Sequence, residues 1–278
     1  MCTLIAGVEV LGPRTLVLGA NRDESPERAS APPGILRERP RVVGGRDLVA
    51  GGTWLAVRDA RAVTALMNRR PTPGTAPPAG GPAGEAPLEG GPAPRSRGLL
   101  CLNAAALGGA QDQPHRIDPG TGERHPARLH AALALIDRDA YAACTLVGLN
   151  VDEPSWAILA EAGQETGVRI LEPGWNVVTH AEVNDPGEPR TAWLRSRLES
   201  LAPRTADEAL RAIAALLVTH EDVERSVPGV CLHRDRFPTV SSSLIALGDL
   251  GNRGPQRYLH APGPPCSTPY ADLSSLLT

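Results

Sequence analysis

Short runs in which apolar and polar residues alternate occur at both ends of the chain, with longer helix-like runs between them. The first two, TLIAGVEV and TLVLGA, are separated by the turn-prone sequence LGPR. This arrangement predicts a β-hairpin, because two strand-forming runs flank a Gly-Pro turn. Antiparallel pairing would bring the end of the second strand back beside the start of the first. We therefore expect Cys2 to lie close to the polar residues 21–24.

The same pattern predicts the later elements of the chain. Strands are expected in RVVGG, GGTWLAVRD, RAVTALMN, AACTLVGLN, SWAILAEA, GVRILE, NVVTH, TVSSSLIALGD and QRYLHA, and a Pro/Arg-rich loop is expected before RVVGG. Helices are expected in SRGLLCLNAAALGG, PARLHAALALIDRD, residues 191–201 and TADEALRAIAALLVT, where Thr205 and Glu208 form a capping box. Strands, then helices, then strands, without regular βαβ alternation, predict an α+β fold of antiparallel sheets with helices packed outside.

A segment rich in proline and glycine, at about residues 71–95, interrupts this pattern. Its composition does not provide enough apolar surface to offset the entropy of ordering it. We predict a mobile insertion within a single domain spanning residues 1–278. The alternative is a lid over the substrate site of an enzyme adapted to one pathway.

Composition excludes several classes of function. With a net charge of −3, the 278-residue chain has no broad basic field for a nucleic acid, and it has no apolar run long enough for a membrane span. We expect no secretory signal, because Glu9 interrupts the first apolar run and charges follow at residues 22–24. The five cysteines include no CxxC pair, which argues against a disulfide framework and a thiolate zinc site. We expect a cytoplasmic protein with a small-molecule substrate, no metal and no cofactor.

Cys2 is the first candidate for chemistry, because removal of Met1 would place a thiol and an α-amine on one residue. Their ordinary pKa values are about 8.5 and about 7.7–8.0, so the amine could accept the thiol proton near neutral pH. Asp23 could hold the resulting ammonium, and Arg22 could lower the thiol pKa or bind an anionic group. The alternative is that Cys2 fills a strand and residues 21–24 form a polar turn. Neither GxSxG nor HExxH occurs, which argues against a serine triad or a metalloprotease site.

Several motifs follow one another in a recognisable order. They are MCT at the start, ANRDE at 20–24, GGRDLVAGGTWLAV at 44–57, ALMNRR at 65–70, SRGLL at 96–100, VVTHAEVNDPGEPR at 177–190 and VCLHRDRFPTVSSSLIAL at 230–247. This series resembles the NRDE family, also called the transport and Golgi organization protein 2 family. That family is similar to the N-terminal nucleophile (Ntn) hydrolases, so the resemblance implies a four-layer αββα sandwich with Cys2 as nucleophile.

The resemblance also implies roles for other residues. By similarity to the choloylglycine hydrolase and penicillin V acylase group, Asp23 would support the terminal amine and Asn68 would donate to an oxyanion. Asn21, Glu24 and Trp54 are predicted to bind substrate, with a place in the core as the alternative for Trp54.

Two positions depart from the family pattern. Thr179-His180 replaces the usual Ser-Asn, so the second oxyanion donor would be His180 or would be missing. Thr239-Val240-Ser241-Ser242 replaces Thr-Arg-Ser-Ser, which removes a guanidinium. These changes imply either a different substrate or a scaffold whose hydrolytic activity has decayed.

Two functions follow from these observations. The first is a cysteine N-terminal nucleophile hydrolase or acyltransferase that acts on a small-molecule amide or thioester through an acyl-Cys2 intermediate. The alternative is a non-catalytic protein of the same fold that binds or carries haem or lipid.

Overall fold

The computed structural model describes residues 2–70, 95–107, 126–136, 141–161 and 164–278, so most of the predicted insertion at 71–95 lies outside the described residues. Two antiparallel sheets form the centre of the molecule, with strand orders β10-β1-β2-β11-β12-β13 and β3-β4-β5-β6-β7-β8-β9. The strands are β1 (Thr3–Val8), β2 (Thr15–Asp23), β3 (Ser30–Arg37), β4 (Val42–Asp47), β5 (Leu55–Arg58), β6 (Ala62–Asn68), β7 (Cys144–Asn150), β8 (Ser155–Ala160), β9 (Gly167–Leu171), β10 (Gly174–Val178), β11 (Thr239–Gly248), β12 (Arg257–Ala261) and β13 (Ala271–Asp272).

Helices cover the outer face of each sheet. They are α1 (Arg97–Ala106), α2 (Ala127–Leu135), α3 (Pro189–Leu198) and α4 (Ala206–Leu217). The first two pack on the seven-stranded sheet, whereas α3 and α4 pack on the six-stranded sheet. The predicted α+β fold, a four-layer αββα sandwich, is therefore confirmed. None of the helices in the described part of the chain is both long and apolar enough to cross a membrane.

The alternation of side chains along the strands produces the two sides of the six-stranded sheet. Leu4 and Ala6 face the core between the sheets, whereas Ile5 faces the helices. Gly19 lies under α4, where a Cβ atom would collide with the side chain of Ile213. The missing side chain therefore allows α4 to approach β2 closely.

Strand β3 and helix α3 are among the elements that differ from the sequence-based predictions. The segment predicted as a Pro/Arg-rich loop contains β3, an edge strand whose pairing with β4 is interrupted between Ala31 and Gly34. Prolines 32 and 33 are compatible with this position because an edge strand can leave N–H sites unpaired. Helix α3 begins earlier than predicted, because the Glu188 carboxylate accepts a 2.7 Å hydrogen bond from the Thr191 N–H and caps the helix.

Candidate active site

The β1–β2 hairpin places Cys2 beside the end of β2, as predicted. Thr3 pairs with Asn21, so the preceding residue reaches the neighbourhood of Asp23. The backbone N–H of Asp23 donates to the Cys2 sulfur at 3.4 Å, and the Cys2 thiol lies 3.8 Å from the Asp23 carbonyl oxygen. The thiol is thus held by backbone geometry rather than by a mobile side chain.

The carboxylate of Asp23 is buried and held from the helix-facing side of the sheet. Its Oδ1 accepts a 2.6 Å hydrogen bond from Thr239, the first residue of β11. Its Oδ2 lies 4.0 Å from the guanidinium of Arg190, which also donates to the Thr3 hydroxyl at 2.9 Å. Burial raises the pKa of Asp23, and the hydrogen bond from Thr239 opposes that rise.

The environment of Cys2 disfavours the thiolate form of its side chain. Burial is the largest cause of its raised pKa, and the nearby Asp23 carboxylate adds to it. A thiol is a poor nucleophile until it loses its proton, so reaction at Cys2 requires a base.

A cleft of about 790 Å³ lies against Cys2. It is lined by Cys2 itself, by residues at and after the end of β2, and by the N-terminus of α1. The guanidinium of Arg22 forms part of its wall, with its central carbon 4.0 Å from the centre of the Trp54 ring. Arg22 also donates to the Ser30 hydroxyl at 3.1 Å. Arg22 and Trp54 thus form one continuous part of the cleft wall, in which Arg22 is largely buried.

Charged residues of both signs also form part of the cleft wall. Five arginines and four carboxylates line it: Arg22, Arg28, Arg95, Arg97, Arg236, Glu24, Glu27, Asp47 and Asp235. The Asp47 carboxylate is paired with Arg28 at 2.6 Å, and Glu24 lies 3.9 Å from both Arg22 and Arg28. Glu24 therefore lies close to two arginines of the cleft wall.

Asn68 approaches the cleft from the other sheet. It is the last residue of β6, opposite Cys144 of β7, and its side chain is exposed on the cleft wall. The NH₂ group of its side-chain amide can donate to an oxygen atom in the cleft.

The sequence profile of a family described as Transport and Golgi organisation 2 matches residues 1–228. The chain belongs to this family. No curated protein sequence matches the chain significantly.

Several solved structures are similar in fold to this chain but have low sequence identity to it. The N-acylethanolamine-hydrolyzing acid amidase ortholog of Caenorhabditis elegans is 13% identical, with 88% of this chain and 92% of that chain covered and a TM-score of 0.48. A mutant of the conjugated bile acid hydrolase from Clostridium perfringens is 11% identical, with 100% and 94% covered and a TM-score of 0.45. Penicillin V acylase from Agrobacterium tumefaciens is 9% identical, with 100% and 88% covered and a TM-score of 0.45. Because each TM-score is below 0.5, the fold assignment depends on the sheet topology described above.

Asn21 of the NRDE motif does not line the cleft. Its amide donates to the carbonyl oxygens of Leu217 at 2.9 Å and Val230 at 3.0 Å, on the helix-facing side of the sheet. These contacts connect β2 to the end of α4 and to the following loop. The position of Asn21 supports a structural role instead of the predicted contact with substrate.

His180 also lies outside the residues that line the cleft. It is buried at 8% exposure, and its Nε2 atom lies 3.0 Å from a guanidinium nitrogen of Arg70. Arginine can only donate, so Nε2 accepts and the ring proton lies on Nδ1. Burial lowers the pKa of His180, which keeps the imidazole neutral.

Sequence reasoning missed Thr239 and Arg190 as partners of Asp23. Both lie within the motifs that resemble the family, but on β11 and α3, far from Asp23 in the chain. Only the pairing of β2 with β11 and the packing of α3 bring them to the carboxylate. A polar residue at the start of a buried strand was the available signal, and it does not specify a partner.

Proposed function

We propose that this protein is a cysteine N-terminal nucleophile hydrolase or acyltransferase that acts on a small-molecule amide or thioester. The observation that carries the proposal is the position of the Cys2 sulfur, 3.4 Å from the Asp23 backbone nitrogen and on the wall of a 790 Å³ cleft. A strand-filling cysteine would not need a cavity beside its sulfur. The buried Asp23 carboxylate interacts electrostatically with the Cys2 thiol, and we expect it to hold a charged α-amine at the same residue.

The proposed reaction requires removal of Met1. The freed α-amine of Cys2 takes the thiol proton, and the sulfur attacks the carbonyl carbon of the substrate. The carbonyl oxygen becomes an oxyanion, to which Asn68 donates. As the tetrahedral intermediate collapses, the C–N or C–S bond of the substrate breaks and the α-ammonium returns its proton to the leaving group. Water, or another acceptor in a transferase, then attacks the acyl-Cys2 thioester and regenerates the thiol.

The charge of the cleft supports substrates that carry an anionic group. Arg97 and Arg236 line the cleft along with Arg22, and Arg22 is already fixed against Trp54. A carboxylate or phosphate on the substrate would find guanidinium donors there. The aromatic face of Trp54 and the side chain of Leu66 offer apolar surface for an acyl chain.

The alternative, haem or lipid binding without catalysis, uses the same cleft. Among the described residues that line it, Cys2 is the one side chain of a type that ligates haem iron. The cleft arginines would then pair with the acidic groups of haem or of a lipid.

A mass-spectrometric experiment distinguishes these functions. Intact mass first verifies that Met1 has been removed, and the protein is then incubated with a panel of amides and acyl-thioesters with and without a carboxylate. We expect product release together with an acyl adduct on the peptide that contains Cys2, and loss of both in Cys2→Ser. Buried Cys101 and Cys144 serve as internal controls and should remain unmodified.

Two results would overturn the proposal. One is the absence of turnover and of any Cys2-dependent adduct in protein that lacks Met1. The other is a haem titration that gives a Soret shift dependent on Cys2 without turnover, which would establish the binding function instead.

A further inference from the structure

A cluster of two histidines and two cysteines lies outside the residues that line the cleft. It combines His220, which follows α4, with Cys231 and His233 from the next loop and Cys266 from the turn after β12. One potential ligand atom from each residue lies within 4.8 Å of all the others. Both cysteines are free thiols.

Four separations between these ligand atoms are within about 0.4 Å of those expected for tetrahedral zinc coordination. The two sulfur atoms are 3.6 Å apart, and the two Nε2 atoms are 3.2 Å apart. The Nε2 atom of His233 lies 3.2 Å from the sulfur of Cys266 and 3.9 Å from that of Cys231. Bond lengths of about 2.3 Å to sulfur and about 2.0–2.1 Å to nitrogen in a tetrahedron give separations of about 3.8, 3.3 and 3.6 Å for S–S, N–N and S–N.

Hydrogen bonds among the four side chains do not account for this arrangement. The Nε2 atom of His233 faces three potential ligand atoms, yet it carries either one proton or one lone pair. It can therefore satisfy one of those partners at a time. A cation at the centre would interact with all four ligand atoms at once.

We propose that His220, Cys231, His233 and Cys266 bind a structural Zn²⁺ ion. Two thiolates and two imidazoles are a common zinc donor set, and four protein ligands complete the tetrahedron. Each thiol would release its proton to solvent on binding, with no change in oxidation state. The missing CxxC spacing does not exclude this site, because its ligands come from three separate segments. Cys231, His233 and Cys266 lie beyond the family match, which ends at residue 228.

The position of the site indicates what the metal would stabilise. It would join the turn that contains Cys266 to the loop before β11. That loop contacts the candidate active site, because the N–H of Leu232 donates to Thr239 at 2.9 Å and Thr239 in turn donates to Asp23 at 2.6 Å. Zinc would thus hold in place a loop that positions the support of Asp23.

Metal analysis of the full chain tests the proposal without an activity assay. Protein purified under reducing conditions is loaded with Zn²⁺, freed of excess metal and analysed for zinc by mass spectrometry. We expect about one ion per chain, together with a thiolate-to-metal charge-transfer band and the visible bands of tetrahedral coordination when Co²⁺ replaces Zn²⁺. Cys266→Ser and His220→Ala, both at exposed positions, should lose the tightly held ion and the cobalt spectrum.

Cys2→Ser is the matched thiol control, because it lies outside the cluster and should retain the metal. Thermal unfolding provides a second measurement: zinc should raise the Tm of the wild type over that of the chelated protein, but should not do so in Cys266→Ser. Zinc well below one equivalent in the reduced wild type, or unchanged zinc in both cluster variants, would overturn the proposal. So would a Cys231–Cys266 disulfide that persists in reduced, zinc-loaded protein.

Discussion

The two faces of strand β2 use neighbouring polar residues for different purposes. On the face toward the other sheet, Arg22 packs on Trp54 and forms part of the cleft. On the face toward the helices, Asn21 binds the carbonyl oxygens of Leu217 and Val230, and Asp23 accepts from Thr239. A strand places successive side chains on opposite faces, so four adjacent letters of a motif do not form a single polar cluster.

In the proposed enzyme, this difference assigns substrate recognition to one face of β2 and the positioning of the catalytic residues to the other. The cleft face presents a cation to the substrate, whereas the helix face holds the hairpin end and the carboxylate in place. The comparison predicts that variants on the cleft face change substrate affinity. Variants on the helix face should instead change the support of Cys2 or the stability of the fold.

Among the variants on the two faces of β2, Asp23→Asn should produce the largest effect, because it removes the charge proposed to hold the α-ammonium while preserving the shape of the side chain. We expect kcat/KM to fall by about 10² to 10⁴, the usual contribution of a positioned acid or base. Steady-state kinetics on Met1-free protein measure the loss, with Asp207→Asn on the exposed face of α4 as the matched control. Near-wild-type turnover in Asp23→Asn would remove Asp23 from the mechanism.

Thr239→Val tests the support of the Asp23 carboxylate through the pH dependence of activity. Activity requires the Asp23 carboxylate to be ionised, so it should be lost as pH falls through the raised pKa of this group. The hydrogen bond from Thr239 favours the ionised form, and removing it should raise that pKa further. We therefore expect the acid limb of the kcat/KM profile to move to higher pH in Thr239→Val. An unmoved acid limb would show that another group determines it.

The sequence predicted the local parts of this arrangement and missed the long-range parts. Alternating residues around the turn at 11–14 were sufficient to place Cys2 beside Asp23, because a hairpin depends on neighbouring residues. Thr239 and Arg190 reach Asp23 only through strand order and helix packing, which hydrophobic periodicity does not specify. The Cys231–Cys266 approach likewise spans distant segments, so the spacing rules for zinc motifs did not detect it.

Asn21→Ala should destabilise the fold. It leaves the buried carbonyl oxygens of Leu217 and Val230 without their amide donor, at about 1–3 kcal/mol for each group left unsatisfied. Urea unfolding measures the free-energy difference, and exposed Asn252→Ala is the matched control. Turnover per folded molecule should remain close to wild type. Unchanged stability with a raised KM would instead assign Asn21 to substrate binding and contradict the division of roles between the two faces of β2.

Arg22→Lys keeps the charge of the cleft face but loses the planar group that packs on Trp54 and reaches Ser30. We expect KM for substrates that carry a carboxylate to rise about tenfold, as for one lost charged contact, while kcat changes less. Comparing acids with their neutral amides in the same assay gives the measurement. Equal effects on both substrates would mean that Arg22 does not recognise an anion.

His180→Ala should have the smallest effect. Continuing the β1–β10 register from the pair Leu4 and Val178 brings His180 to the level of Cys2, so its place in the sheet is compatible with an oxyanion donor. However, it does not line the cleft, and its Nε2 atom accepts from Arg70, which leaves Nδ1–H as its only donor. We expect kcat to fall by less than about tenfold, with His180→Asn behaving alike, because the proposed oxyanion donor Asn68 lines the cleft and His180 does not. A loss of about 10² to 10³ in kcat at constant KM, with partial recovery in His180→Asn, would instead show that Nδ1–H donates to the oxyanion. That result would extend the catalytic surface across β1 to β10, and the cleft face of the sheet would then supply both recognition and chemistry.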